Sequence, residues 1–200
     1  MALDPHVAAR KSLGALLLEL EPLLDGPEEA MHQFLKLHPQ LLSLTHVECW
    51  SKLPFGEWFS DFVLREPDGR YVLVELEAPQ HLLFRKDGHP RQALNPAIGQ
   101  IADWRTHLER NLSDVQNQLG LHGISTNPDA LIVIGRSSGL SARNRAKLTT
   151  LQNQMPKLRI MTYDDLIGHT RSMASNLFGS VGIETTGELY VTRPQKSEGS

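Results

Sequence analysis

The stretch WFSDFVLREPDGRYVLVELE, residues 58–77, decides the fold. WFSDFVLR (58–65) and YVLVELE (71–77) are both rich in β-branched and aromatic residues, and Glu66-Pro67-Asp68-Gly69-Arg70 separates them. That linker is turn chemistry, with Gly69 suited to a left-handed backbone position. The expected unit is an antiparallel hairpin connected by Pro67 to Gly69, in which Glu66 faces Arg70 and Asp61 faces Glu75. Side chains alternate across a strand. Asp61, Val63, Leu73, Glu75 and Glu77 therefore share one face, and Phe62, Leu64, Val72, Val74 and Leu76 the other. The second set is wholly apolar and must face a core. The first carries three carboxylates at one end of the hairpin.

Working downstream, residues 78–96 contain three prolines, together with Lys86 and Arg91, and read as a loop long enough to be functional. Residues 97–112 read as a helix with Ile98, Ile101, Trp104 and Leu108 on its buried stripe and Gln100, Asp103 and His107 beside it. ALIVIG (130–135) is a continuous apolar run expected to be a central strand. Residues 141–155 form a helix with a basic face of Arg143, Arg145 and Lys147, and LRIMT (158–162) is a short strand. Thr162 and Asp165 have capping-box spacing at the head of a helix over 163–178.

Upstream, Val7, Leu13, Leu16, Leu17, Leu20 and Leu24 recur at helical spacing, so residues 5–25 predict a first helix, broken at Asp25-Gly26-Pro27. A second helix starts near Pro27 with an acidic first turn, Glu28 and Glu29, carries Met31, Phe34 and Leu35, and ends before Pro39. A strand around 47–49 followed by a loop through Pro54-Phe55-Gly56 is the reading for residues 44–58. The fold class is α/β, a mixed central sheet flanked by helices. The domain reading is an N-terminal helix packed on the core over 1–27, one domain over 28–179 and a C-terminal tail over 180–200, disordered from Pro194.

Composition agrees with one well-buried core: 200 residues, 40% hydrophobic and 22% charged. The single cysteine, Cys49, excludes an internal disulfide and a cysteine-built zinc site, and points to a cytoplasmic setting. The apolar patch near the start is interrupted by Glu19 and Glu21, so neither a signal peptide nor a membrane span is expected. A net charge of -3 argues against a protein that coats nucleic acid, but not against an enzyme acting on it. The nine histidines are assigned mostly to surface and loop positions, with no HExxH pair.

The carboxylates carry the chemistry. Hard oxygen ligands suit Mg²⁺ or Mn²⁺. Two carboxylates facing each other across neighbouring strands repel unless a cation relieves them, and without one a member of the set holds a proton more tightly. Asp61, Glu75 and Glu77, with the backbone carbonyl of Leu76, are the candidate metal ligands. The bland counterpart is a solvated sheet face with acidic residues at a strand end. Glu28 or Glu29 could reach the same cluster from the second helix, or simply complement the helix N-terminus. Gln100 could hydrogen-bond a phosphate or an attacking water. Arg85, Lys86 and Arg91 in the loop, and Arg143, Arg145 and Lys147 on the basic helix, are candidate phosphate contacts. Trp104 belongs to the core, and Trp58 has no clear place.

These same residues resemble a known pattern. SDFVLR…GRYVLVELEAP followed by QIADW is similar to the PD-(D/E)xK nuclease superfamily, and more specifically to the Shedu-type family of bacterial anti-phage defence proteins through their C-terminal nuclease domain. EEAMHQFLKLHPQLL is similar to that family's opening segment, and DALIVIGRS and MTYDDLIGH to its closing ones, so the resemblance covers roughly residues 28–170. It implies a restriction-endonuclease-like fold and a Mg²⁺- or Mn²⁺-dependent endonuclease acting on nucleic acid, DNA foremost. Asp61 and Glu75 become metal ligands, Gln100 the family's glutamine after the acidic strand, and one of the two helix glutamates, with Glu29 preferred, a site residue. Self-association or a separate regulatory protein would supply control. The departure is Glu77, which stands where the motif has lysine. Glutamate cannot supply positive charge. Lys52, Lys86 or Arg91 would have to replace it, or the chain is a catalytically inactive relative that binds nucleic acid or a partner.

Overall fold

The 58–77 hairpin forms as its sequence dictates. In the computed structural model, which describes residues 5–85, 90–91, 93–178, 183–184 and 188–190, β2 (Trp58–Arg65) pairs antiparallel with β3 (Tyr71–Leu76). The register runs from Arg65↔Tyr71 to Phe62↔Val74, and the Glu66 amide donates to the Arg70 carbonyl at 2.8 Å. Gly69 takes the left-handed φ of 82° that the turn requires.

β3 then pairs parallel with β4 (Asp129–Val133), and β4 parallel with β5 (Leu158–Met161). The fifth strand, β1 (Glu48–Phe55), corrects the sequence reading. It continues through Pro54, where a loop was expected, and a two-residue connection, Gly56-Glu57, leads from Phe55 to its partner Trp58. Proline is tolerated there because β1 is an edge strand and needs no outward N–H. Strand order is β1-β2-β3-β4-β5, a mixed sheet with β3 in the middle and β4 next to the edge strand β5.

Helices cover both faces. On one side lie α3 (Leu94–Gln118) and α4 (Ala142–Gln154), which bury Ile101, Trp104, Leu108 and Leu148 against Leu53, Phe55, Val63, Leu73 and Ile132. On the other lie α1 (Pro5–Leu20), α2 (Glu28–Leu37) and α5 (Tyr163–Phe178). Leu17, Leu20, Met31, Leu35 and Tyr163 there close over Phe62, Leu64, Val74, Leu76 and Val133. Both faces of the hairpin are therefore core. The expectation of one apolar face captured half of this, because β2 and β3 lie inside the sheet and are sandwiched by helices.

Helix ends follow local chemistry. The Thr162 hydroxyl accepts from the Asp165 amide at 3.1 Å, and the Thr162 amide donates to the Asp165 carboxylate at 2.9 Å, which is the capping box over α5. The Ser141 hydroxyl caps α4 by accepting from the Asn144 amide. α3 outruns its expected 97–112 span at both ends and has a non-helical residue, Asn111, within it. The first helix ends at Leu20 and continues as a 3-10 turn over Glu21–Asp25. A two-stranded sheet, β6 (Ile183–Glu184) with β7 (Glu188–Tyr190), occupies part of the expected tail, while the segment from Pro194 lies outside the described residues. No helix among the described residues is long and apolar enough to cross a membrane.

Candidate functional site

The site arises where β2 and β3 part. Beyond Phe62↔Val74 their ladder stops: the start of β2 stays with β1 through Ser60↔Leu53, while the end of β3 stays with β4 through Leu76↔Val133. Asp61 fills the fork. Its side chain accepts a hydrogen bond from the Leu76 amide at 2.7 Å on Oδ2, replacing the ladder bond lost there. Its other oxygen, Oδ1, accepts from the Lys52 ammonium of β1. Asp61 is 5% exposed.

Glu75 and Glu77 follow on β3 and just past it. Glu75 is buried and Glu77 half-buried. The backbone of Glu77 is pinned twice: its amide donates to the Val133 carbonyl and its carbonyl accepts from the Tyr163 hydroxyl, both at 2.9 Å. Its carboxylate meets Nδ1 of His81 at 3.0 Å. Burial, then the Asp61 charge and the Glu77 charge, push the Glu75 carboxyl up to about 9, only partly offset by Lys52. Glu77 is also raised, by burial and then by Glu28. The proton affinity expected of such a cluster is thus present in Glu75.

The two helix glutamates differ in their surroundings, although both feel the charge of Lys52. Glu28, exposed at the rim, is raised by burial of its carboxyl and then by the Asp61 charge, so it faces the cluster. Glu29, the residue preferred from the resemblance, turns outward, accepts a 2.6 Å hydrogen bond from Gln33 and is held below its ordinary value by that bond. The reason is azimuth. Glu28 shares a helical stripe with the buried Met31, His32 and Leu35, and Glu29 lies about 100° further round. Gln80 secures the approach of α2 by donating to the carbonyls of Leu24 at 2.9 Å and Gly26 at 2.8 Å.

His32 was assigned to the surface with the other histidines, and the structure corrects this. It is 3% exposed, stacked on Phe62 at 4.8 Å, with Nε2 3.5 Å from the Asp61 carbonyl and 4.0 Å from Asp61 Oδ1. Of the two described cations offered as substitutes for a motif lysine, Lys52 and Arg91, Lys52 is bonded to a carboxylate of the cluster. Its signal was the β1–β2 pairing: with Phe55 opposite Trp58, Lys52 falls opposite Asp61. Burial works against its charge, but the hydrogen bond and charge of Asp61, with Glu75 behind, outweigh it and raise its affinity for the proton.

Gln100 is half-buried in the first third of α3, and no hydrogen bond among the described residues joins it to the carboxylates. Arg91 is exposed before α3, with its amide donating to Leu83. Lys86 lies outside the described residues. Arg143 and Arg145 are exposed on α4 and Lys147 is half-buried there, Arg145 donating to the Ser137 carbonyl at 2.8 Å. Trp104 is fully buried, and Trp58 is 41% exposed at the start of β2.

The set of oxygen donors is chemically that of a hard divalent cation. Among the described residues, no three Asp, Glu, His or Cys side chains converge as ligands of one ion in this conformation. Asp61 is instead turned to Lys52 and Leu76. No curated protein matches the chain. A family model described as the C-terminal part of the Shedu protein SduA matches residues 25–167, from just before α2 into α5, and so takes in every carboxylate of the fork. The chain belongs to the Shedu SduA C-terminal family.

Proposed function

We propose that this chain is a metal-dependent endonuclease that hydrolyses phosphodiester bonds in nucleic acid, DNA foremost, within bacterial defence against phage. The observation that carries it is the gathering of Asp61, Glu75, Glu77 and Glu28 at one end of the sheet, in a Shedu-family chain, with the Glu75 carboxyl pushed up first by burial and then by the Asp61 and Glu77 charges. A restriction-endonuclease-like assignment is part of the same reading. The forked β2–β3 pair within a mixed, helix-covered sheet supports it.

Asp61, Glu75, Glu77 and the Leu76 carbonyl are the residues that would hold Mg²⁺ or Mn²⁺. The ion, when bound, supplies charge neutralisation for a phosphate and a more acidic water. The protein's own contribution is positioning. The Leu76 amide aims Asp61, and the Val133 carbonyl and Tyr163 hydroxyl fix the backbone of Glu77. Glu28 adds charge from the rim, His32 packs behind Asp61, and Gln100 and the exposed arginines of α4 meet the substrate. A cytoplasmic setting and association with a second copy or a regulatory protein complete the proposal.

Supercoiled plasmid, linear duplex and single-stranded DNA are incubated with the protein in Mg²⁺, Mn²⁺ or EDTA, alongside Asp61→Ala and Glu75→Ala. Cutting that requires metal and disappears in both variants is expected. Cutting unchanged in both removes the site assignment. A second reading, an inactive domain that binds nucleic acid or a partner, is favoured by one observation: the motif lysine position is Glu77, whose carboxylate is bonded to His81. Binding without turnover under any metal would select it.

A further inference from the structure

Lys52 sits in the middle of β1 with φ 54°, a left-handed conformation in a strand. For a residue with a Cβ this backbone conformation is strained. Pairing continues on both sides, Ser51↔Phe62 and Leu53↔Ser60, so the register is kept and only the alternation is broken. Trp50, Leu53 and Phe55 all pack on the α3 side, a sequence of positions that plain alternation forbids. The backbone turns over at Lys52 and delivers its ammonium to Oδ1 of Asp61.

Oδ2 of the same carboxylate already accepts from the Leu76 amide, so Oδ1 is its less committed oxygen. The Lys52 side chain is 50% exposed while that of Asp61 is 7% exposed, so the lysine has a route back to water and the carboxylate has none. With Asp61 so engaged, no three ligand side chains among the described residues converge on one point. A positive charge is thus brought to the carboxylates from β1, two strands away from β3, and rests on Asp61.

Resting on the reading of Asp61 and Glu75 as metal ligands, we propose that the Lys52 ammonium occupies the cation position at Asp61 and is displaced when a divalent ion binds. Lys52 is then a built-in competitor of the metal: it keeps Asp61 compensated until the ion arrives, and returns to solvent when it does. The left-handed backbone is what holds the ammonium on Asp61.

The test is calorimetric titration of Mn²⁺ into the wild-type chain, Lys52→Gln, Lys52→Arg, Glu75→Gln and the control Lys36→Gln, an exposed lysine of α2. Circular dichroism verifies folding. Loss of a half-exposed ion pair predicts binding roughly fivefold tighter in Lys52→Gln. Lys36→Gln and Lys52→Arg should show no gain, and Glu75→Gln weaker binding. In parallel, acetylation of the Lys52 amine, followed by mass spectrometry, should accelerate when Mn²⁺ saturates the wild type. Equal or weaker binding in folded Lys52→Gln overturns the proposal, as does Lys52 labelling that saturating Mn²⁺ leaves unchanged. If no chain binds Mn²⁺, the metal reading itself fails and takes the inference with it.

Discussion

Replacing Glu75 by glutamine should make the protein more stable at neutral pH, and the size of the gain follows from its setting. The carboxyl of Glu75 is pushed from an ordinary value of 4.5 up to about 9 by burial and by Asp61 and Glu77. Between those limits the folded state keeps a proton that the unfolded chain has released. Stability is therefore greatest below pH 4.5, falls as pH rises through the window and levels off above about 9. At about 1.4 kcal/mol per pH unit, the folded state loses about 3 kcal/mol to this one group between pH 4.5 and pH 7. Glutamine is neutral in both states and removes that loss. Urea denaturation of wild type and Glu75→Gln in EDTA at pH 5, 7 and 8.5 measures it. The two stabilities should diverge steadily with pH, by about 3 kcal/mol at pH 7 relative to acid. Parallel pH profiles for the two proteins would refute the reasoning, because they would mean that Glu75 titrates alike when folded and unfolded.

Gly135→Ala should lower the melting temperature by roughly 4–8 °C, corresponding to about 2 kcal/mol. An added Cβ would lie 2.2 Å from the His81 carbonyl oxygen, and the residue has a φ of 64°. A melting curve within a degree of wild type would contradict that close approach. Trp104→Ala should cost about 3–5 kcal/mol in chemical denaturation, whereas Trp104→Phe should cost far less, because the buried indole N–H has no hydrogen-bond partner among the described residues. Equal losses in the two would mean that the indole N–H matters after all. Tyr163→Phe removes the 2.9 Å bond to the Glu77 carbonyl and should cost about 1 kcal/mol. An unchanged midpoint would show that water replaces the hydroxyl.

Much of the fold was legible because its causes are local. Turn chemistry at Pro67-Asp68-Gly69 and strict alternation set the β2–β3 register, and the Thr162–Asp165 box set the start of α5. That Glu28 shares a stripe with Met31 and Leu35 was also legible in the spacing. β1 was half-hidden by Pro54, which argues against a strand everywhere except at a sheet edge, and no local pattern says which strand is an edge. His32 looks like any surface histidine until α2 is laid across Phe62.

The sequence by itself determined the hairpin, its register and the three carboxylates at its end, since alternation and turn propensity act within twenty residues of chain. Only the tertiary structure decided that both faces of that hairpin are buried, that its strands part at Asp61 and that Lys52 closes on the carboxylate. Those outcomes depend on which strand lies beside which and on one left-handed residue in the edge strand. Neighbours brought together by the sheet, rather than by the chain, settle the charge balance of the site.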